Sequence, residues 1–436
     1  MPIPSQRFTR RELNWMRRWR SQAHLRCGNG LVRPTSPSEW RQFLGEIEEQ
    51  ISRGTFKFNG LRWHKIGPRT ALSSNHLEDV LVIRKISNNI RRCYGVRESN
   101  RSQLIRTAKQ ALAESVPKTI LRIDIKSCYE SIDRNKLLNK IQSDSLVSSE
   151  TVSLAKQLFR EATARSKAHR SQGIPRGLIL STTLAELALR DLDKKLRALP
   201  GTYLLLRYVD DILIFTTADR EHATASVREL LAELGLKINE SKFSAVRVGC
   251  NCEIQCTHGH TCPCAKGCLC IDNPHARCEF DFLGYKLSFS PHNTKDPKKL
   301  NAISCTFSTR KISRIKHRVW VAFYAFDVDH DWELLMDRIR YLADNQKLES
   351  QPSRRGLLAG LSYTHAECDP GDPTVETSLS RLDQFYRAKL RAIKQLIPPI
   401  AYERLARLSF QSGFAHHRRT DFSGSRVLQI KKCWAR

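Results

Sequence analysis

The chain has 436 residues, with 73 lysines and arginines against 44 acidic residues and a formal net charge of +29. That length accommodates two or three domains, or one core with appendages, and a basic excess spread along the whole chain suits a polyanionic partner, nucleic acid first. No apolar run reaches the roughly 18 residues of a transmembrane helix, and the arginine-rich stretch Met1 to Arg20 lacks the apolar segment of a secretory signal, so the reading is a cytoplasmic protein with no membrane partner.

In chain order, residues 1–79 read as a basic N-terminal extension, helical in part and broken by the Gly/Pro/Ser run from Gly28 to Ser38. Residues 80 to 118 carry many arginines at helical spacing. From Thr119 to Tyr285 short apolar strands alternate with amphipathic helices. After Leu300 come basic helical segments, broken at Gln351 to Gly356, at Cys368 to Pro373 and at Pro398-Pro399. The pattern predicts an α+β core over 80–290, with a cysteine-rich insertion at 250–278, and a helical basic region over 291–436.

The core contains three acids in apolar surroundings. Thr119 to Ile125 is a strand-like run with Asp124 embedded in it, and such an acid must be paired, protonated or metal-bound. Tyr203 to Val209, then Asp210-Asp211, then Ile212 to Phe215 predicts a β-hairpin with two acids at its turn. Adjacent carboxylates repel and lose hydration, a conflict that a divalent cation resolves. For Asp-Asp alone an ordinary solvated turn explains as much. If the two strands adjoin, Asp124 and Asp210 converge. Between them, Asp133 is expected to N-cap a helix carrying Leu137, Leu138 and Ile141. Ser181 is expected to cap one with Leu184, Ala188, Leu192 and Leu196 on a stripe. Val227, Leu230, Leu231 and Leu234 form a helical core face ending at Gly235.

Eight of the 14 cysteines, Cys250, Cys252, Cys256, Cys262, Cys264, Cys268, Cys270 and Cys278, fall in one short stretch with His258, His260 and His275 interspersed. In a reducing compartment such clustering points to metal rather than to a disulfide framework. Thiolate sites select zinc or iron–sulfur, and zinc needs no redox partner. The spacing leaves the ligand assignment open. One or two structural zinc ions would staple the loop; a labile, disulfide-prone loop is the alternative.

The motifs together resemble a family. Tyr208-Val209-Asp210-Asp211 resembles the Tyr-x-Asp-Asp box of reverse transcriptases. Leu121 to Asp133 is similar to the first aspartate motif of the group II intron and retron-like enzymes, Gly173-Ile-Pro-Arg-Gly177 with Ser181 to the Gly-x-Pro-Gln-Gly motif, Gly235 to Lys242 to the next, and Phe282-Leu283-Gly284-Tyr285 to the primer grip. Five motifs in the family's order cover about residues 80 to 290. The resemblance implies a right-hand polymerase with palm and fingers and a helical C-terminal thumb. It implies two magnesium ions held by Asp124, Ile125, Asp210 and Asp211, roughly 3.5–4 Å apart, activating a primer 3′-hydroxyl and stabilising pyrophosphate. Its partners would be an RNA template, a DNA product and deoxynucleotides.

Carried over position by position, Tyr129 closes on the sugar and excludes a 2′-hydroxyl; a core tyrosine is the alternative. Gly173 and Gly177 let the backbone approach the nascent pair. Arg176 replaces the commoner glutamine and would grip a template phosphate or a base edge. The Pro-Arg-Gly variant is similar to antiphage and abortive-infection reverse transcriptases, which implies a partner noncoding RNA, with a second subunit or homo-oligomer as a further partner. Lys242 is either a general acid for pyrophosphate or a solvated lysine. Arg91, Arg92, Arg97 and Arg101, with Arg84 and Lys85, stand where fingers hold a triphosphate.

In the C-terminal third, Lys311, Arg314, Lys316, His317 and Arg318 suit phosphate contact. The segment from Phe410 to Trp434 mixes aromatics with Arg418, Arg419, Lys431 and Lys432, either to stack single-stranded nucleic acid or to clasp the core. Competing readings are a domesticated retroelement polymerase, an RNA-dependent RNA polymerase, against which Tyr129 argues, and a non-catalytic nucleic-acid-binding protein, against which the intact aspartates argue.

Overall fold

The computed structural model of the chain describes residues 5–18, 34–67, 69–97, 99–114, 116–166, 173–248, 268–269, 278–289, 303–348 and 357–434. In order these form α1 (Arg10–Arg18), α2 (Pro37–Ser52), β1 (Leu61–Ile66), β2 (Arg69–Ser74), α3 (Leu77–Cys93), α4 (Arg101–Ala113), β3 (Lys118–Asp124), α5 (Cys128–Ser131), α6 (Arg134–Ser143), α7 (Ser149–Ala164), α8 (Ile179–Ala188), α9 (Arg190–Ala198), β4 (Thr202–Tyr208), β5 (Asp211–Thr216) and α10 (Arg220–Glu233). They continue through β6 (Ser244–Val248), β7 (Cys268–Leu269), β8 (Cys278–Phe282), β9 (Tyr285–Phe289), β10 (Ile303–Phe307), α11 (Thr309–Asp329), α12 (Trp332–Ala343), β11 (Gln346–Leu348), β12 (Leu357–Ala359), α13 (Leu361–Thr364), α14 (Pro373–Ala392), α15 (Pro399–Ala406), α16 (Phe410–Ala415) and α17 (Gly424–Lys432). The mixture of helix and sheet agrees with the expected α+β class.

Two compact units divide the chain, one of residues 1–99 and 121–244, the other of residues 100–120 and 245–436. These boundaries do not coincide with the expected divisions at 79/80 and 290/291. The first unit is built around α3, which is buried on nearly every side. A helix so placed should be apolar all round, yet it carries Arg84, Lys85, Asn88 and Asn89 inside. The N-terminal segment satisfies three of them. Lys85 Nζ donates to Ser5 O at 2.8 Å and pairs with Glu12 at 2.7 Å. Arg84 donates to Met16 O at 3.1 Å, and Asn89 Nδ2 to Gln6 O at 2.8 Å. The N-terminal segment is thus part of this unit's core rather than a separate extension, and Arg84 and Lys85 serve packing instead of a triphosphate.

Three strands of the first unit lie side by side in the order β4, β5, β3, with α9 packed against β4. The expected local signals hold in detail: Asp133 accepts from Asn135 N and Lys136 N with Leu137, Leu138 and Ile141 buried behind it, and α10 ends at Gly235 with φ +68°. Ser181 differs. It lies within the first turn of α8 and its hydroxyl donates back to the Pro175 carbonyl, so Leu178 is the N-cap. A break at Leu189 separates α8 from α9, where a single stripe is expected.

The β1–β2 hairpin is fixed to α3 by Asp79, which accepts from Gly60 N and Ser74 Oγ, both at 2.8 Å. Asp79 is fully buried, and burial pushes its carboxyl up to about 6. A raised acid contributes stability that is present below its unfolded value, near 4, and lost as pH rises through about 6. At pH 7 the buried charge therefore destabilises the unit by on the order of 2–3 kcal/mol. Asp79→Asn keeps an acceptor for both donors without the charge, so the expected result is a higher Tm at pH 7 and little change near pH 4. A gain of equal size at both pH values would show that charge is not the cause.

The second unit pairs a three-stranded antiparallel sheet, in the order β10, β9, β8, with helices α11, α12, α14 and α16. Its core is aromatic: Phe307, Phe323, Phe326, Tyr386, Phe410 and Phe414 are all buried. His365 lies between the rings of Tyr285 and Phe307, at 4.8 and 5.1 Å; burial and the Lys311 and Arg101 charges push it down to about 3, so the ring is neutral. Phe410 and Phe414 belong to this core, Trp434 donates to Arg318 O at 2.9 Å, and Arg418 pairs with the buried Asp344 at 2.5 Å. Of the two readings of the last segment, the hydrophobic clasp is the one observed.

Candidate active site

The site begins at a backbone bond. β4 and β5 are paired down to Tyr208 and Asp211, which leaves Val209 and Asp210 at the hairpin tip. The amide of Ile125, one residue past the end of β3, donates to the Asp210 carbonyl at 3.0 Å. Asp124 and Asp210 are thereby set at adjacent strand ends, so the condition for their convergence, that the two strands adjoin, is met. Val209 adopts φ +58°, a left-handed conformation that a β-branched residue rarely takes, so its surroundings must hold it. Arg207 does so: Nη1 donates to Val209 O at 3.2 Å, while the rest of the guanidinium is bound by Asp193 at 2.6 and 2.7 Å and by Glu186 at 2.9 Å.

Asp124 is 6% exposed. Its Oδ1 accepts from Asn239 Nδ2 at 2.8 Å and its Oδ2 meets Lys242 Nζ at 2.5 Å. Asn239 reaches it because the segment before it pairs with the extension of β3, Lys126 N donating to Lys237 O and Asn239 N to Asp124 O, both at 2.8 Å. Burial pushes the Asp210 carboxyl up, and the neighbouring Asp124 adds to the shift; Arg176 and Lys242 oppose it. Asp211 opens β5, its carboxylate 3.7 Å from Arg122 Nε.

Asp124 and Asp210 offer hard oxygen donors with a like-charge conflict between them, a donor set that fits a divalent cation of the magnesium type. Such an ion takes one or two carboxylates and completes its shell with water and substrate phosphate. Among the described residues no three His, Cys, Asp or Glu side chains gather closely enough to hold a metal alone. Of the expected set Asp124, Ile125, Asp210 and Asp211, Ile125 follows Asp124 and bonds the Asp210 carbonyl through its amide, and Asp211 lies towards Arg122.

Around this pair stands the Gly173–Gly177 segment. Ile174 N donates to Tyr129 O at 2.8 Å and Leu72 N to Arg176 O at 2.7 Å, so the segment joins the turn at Tyr129 to β2. A Cβ on Gly173 would fall 2.7 Å from Glu130 Cα, and one on Gly177, whose φ is +101°, 2.5 Å from Leu72 O. Both glycines serve close backbone approach, here to the protein itself. Arg176 forks onto Glu130 at 2.9 and 3.1 Å and stands 4.6 Å over the Tyr129 ring. Nε and Nη2 of Arg176 are thus engaged by a carboxylate of the chain itself. Burial pushes the half-buried Tyr129 phenol above its ordinary value.

Among the basic candidates, Arg97 is exposed in the loop after α3, whereas Arg91 Nε donates to Val96 O at 3.2 Å. Arg101 belongs to the second unit, where its Nε donates to Leu283 O at 2.8 Å and its guanidinium lies 4.9 Å over Tyr285. Phe282-Leu283-Gly284-Tyr285 is a two-residue hairpin turn with φ of +51° and +81° at Leu283 and Gly284, the backbone twist that suits a tight hairpin. Phe282 and Tyr285 are fully buried, and Ser308 N donates to Gly284 O at 3.1 Å. Cys250, Cys252, Cys256, Cys262, Cys264 and Cys270 lie outside the described residues, as do the side chains of Cys268 and Cys278, so the expected zinc ligands lie there too.

Three residues of the site escape sequence reasoning: Asn239, Glu130 and Arg207. Arg207 leaves a signal, one charge inside an otherwise apolar strand. The other two are ordinary polar residues inside motifs.

A family model described as reverse transcriptase (RNA-dependent DNA polymerase) matches residues 70–287, half of the chain, and no curated protein matches it.

Proposed function

This chain belongs to the reverse transcriptase family, and we propose that it is an active RNA-directed DNA polymerase, extending a primer 3′-hydroxyl with deoxynucleotides at Asp124 and Asp210. The observation that carries this reading is the Ile125–Asp210 backbone bond of 3.0 Å, which holds Asp124 and Asp210 on adjacent strand ends. Two magnesium ions bound there would supply the positive charge that favours hydroxyl deprotonation and pyrophosphate departure. Asp124 and Asp210, with Asp211, would hold the cations. Arg207 fixes the tip that carries Asp210. Lys242 donates to the Asp124 carboxylate, close to where an anionic leaving group would form. Tyr129 screens the sugar, and its side chain is held in place from Arg176.

Primer extension on an RNA template with purified protein tests this. The expected result is DNA product from deoxynucleotides in magnesium; product from ribonucleotides alone, or no product with any nucleotide set, would sink the reading. For biological role we propose antiviral defence against phage with a partner noncoding RNA, on the similarity of Pro175-Arg176-Gly177 to that subgroup. RNA copurified with the protein should then be one discrete species, whereas a heterogeneous cellular mixture would count against it.

The eight cysteines from Cys250 to Cys278 we assign to one or two structural zinc ions, because thiols at that density in a reducing compartment favour metal. Zinc can supply folding free energy of roughly 10 kcal/mol, enough to order a short loop. Metal analysis of protein purified under reducing conditions should give one to two equivalents. A value near zero, with full activity after a strong chelator is removed and magnesium restored, would overturn the assignment.

A further inference from the structure

Arg176 stands where three parts of the first unit meet. Its carbonyl accepts from Leu72 of β2 at 2.7 Å. Its guanidinium is bound by both carboxylate oxygens of Glu130, and the same planar group covers the Tyr129 ring at 4.6 Å. Glu130 follows Tyr129 directly on the four-residue helix α5, so one arginine grips both the ring and the residue beside it. The backbone repeats the link, because Ile174 N donates to Tyr129 O at 2.8 Å and Gly173 has no room for a Cβ against Glu130. Arg176 is the more sheltered member of the ion pair, at 19% exposure against 39% for Glu130.

Two-point pairing of a guanidinium with a carboxylate fixes the plane of the fork, which a lysine or a glutamine cannot do. A cation–π contact then ties the ring to that plane. The ring's freedom to tilt is therefore set by the Arg176–Glu130 pair together with the side-chain hydrogen bond between Tyr129 and Thr182, since Tyr129 is only half-buried. Arg176 also contributes positive potential at Asp210, so the clamp stands between the ring and the carboxylate pair.

We propose that Arg176 and Glu130 act together as a positioning clamp on Tyr129 and set how strictly the enzyme rejects a 2′-hydroxyl. The clamp rests on the reading of Tyr129 as the sugar screen. A ring held upright collides with the extra hydroxyl; a ring free to tilt admits it. Neither clamp residue contacts the sugar, and both act through the ring.

The experiment measures kcat/KM for deoxynucleotide and ribonucleotide incorporation by the full-length protein on one primer–template. The variants are Arg176→Gln, Glu130→Gln, both together, and Tyr129→Ala. Each clamp variant should lower the deoxy-to-ribo ratio by about 5- to 20-fold, chiefly through a lower KM for ribonucleotides, with synthesis from deoxynucleotides still measurable. The double variant should match the singles, because either change already opens the clamp. Tyr129→Ala should lower the ratio at least as far. If Tyr129→Ala leaves the ratio unchanged, the screen itself is misassigned. If Tyr129→Ala lowers it and both clamp variants do not, the screen stands and the clamp falls. Equal loss of kcat for both nucleotide classes, or loss of all synthesis in both clamp variants with folding intact by circular dichroism, would also overturn the clamp, since either marks a merely structural pair.

Discussion

Asp124→Asn and Asp210→Asn should each lower primer extension by on the order of 10³-fold, and Asp210→Asn should do so without loss of folding stability. Each change removes one negative charge from the carboxylate pair that would hold magnesium, while an amide keeps the size and one acceptor oxygen. The two variants should differ in Tm. Asp210 is a carboxylate whose charge burial and the neighbouring Asp124 both disfavour, so neutralising it relieves a conflict, and Tm should hold or rise at pH 7. Asp124 is satisfied, by Asn239 at 2.8 Å and Lys242 at 2.5 Å. Its loss leaves the lysine without that partner, and Tm should fall by a few degrees. Strain and like-charge crowding concentrated at one place are what a functional site imposes on a fold. The measurements are extension rate and thermal melting on the same preparations. Activity within tenfold of the unaltered protein in both variants would remove Asp124 and Asp210 from the chemistry.

How far the site was legible follows from where its signals are stored. Asp124 and Asp210 were readable because an acid inside a β-strand run conflicts with its neighbours, and conflicts stand out against an apolar background. Asp133 and Gly235 were readable because caps and helix ends are local, set within three or four residues. Ser181 was misread by the same logic: serine favours a cap, but here the backbone turns at Leu178 and the hydroxyl returns to Pro175 instead. Arg84 and Lys85 were misread because a basic helix usually lies at the surface. Only the packing of a segment some 70–80 residues earlier in the sequence shows that their charges are satisfied inside. Arg176 was legible as a departure from its family's pattern, but not in its consequence. Its partner Glu130 is 46 positions away, and nothing in either stretch alone pairs them. Long-range polar pairing is the class of information that periodicity does not carry.

Arg207 shows the same limit and yields the largest expected effect on stability. The guanidinium is 8% exposed, with Glu186 at 9% and Asp193 at 22%; burial works against its charge, but the two carboxylates hold its pKa above the ordinary value. Arg207→Met keeps the length and apolar stem and deletes the cation, leaving two sheltered carboxylates facing each other. Breaking such a network from one side costs about 3–5 kcal/mol, which corresponds to a drop in Tm of roughly 10 °C for a unit of this size. Removing all the charges together is far milder, because no buried charge is left uncompensated. The triple variant Arg207→Met with Asp193→Asn and Glu186→Gln should therefore recover most of the lost Tm. Activity should not follow. Arg207 also donates to the Val209 carbonyl at 3.2 Å, steadying a left-handed residue immediately before Asp210, and that donor is missing in both variants. A carboxylate displaced by about 1 Å can slow the reaction by 10²-fold, so the triple variant should be stable and slow. If it regains the extension rate along with the Tm, Arg207 is a structural ion pair only. If the single variant melts where the unaltered protein does, the network contributes nothing and the tip is held by the sheet alone.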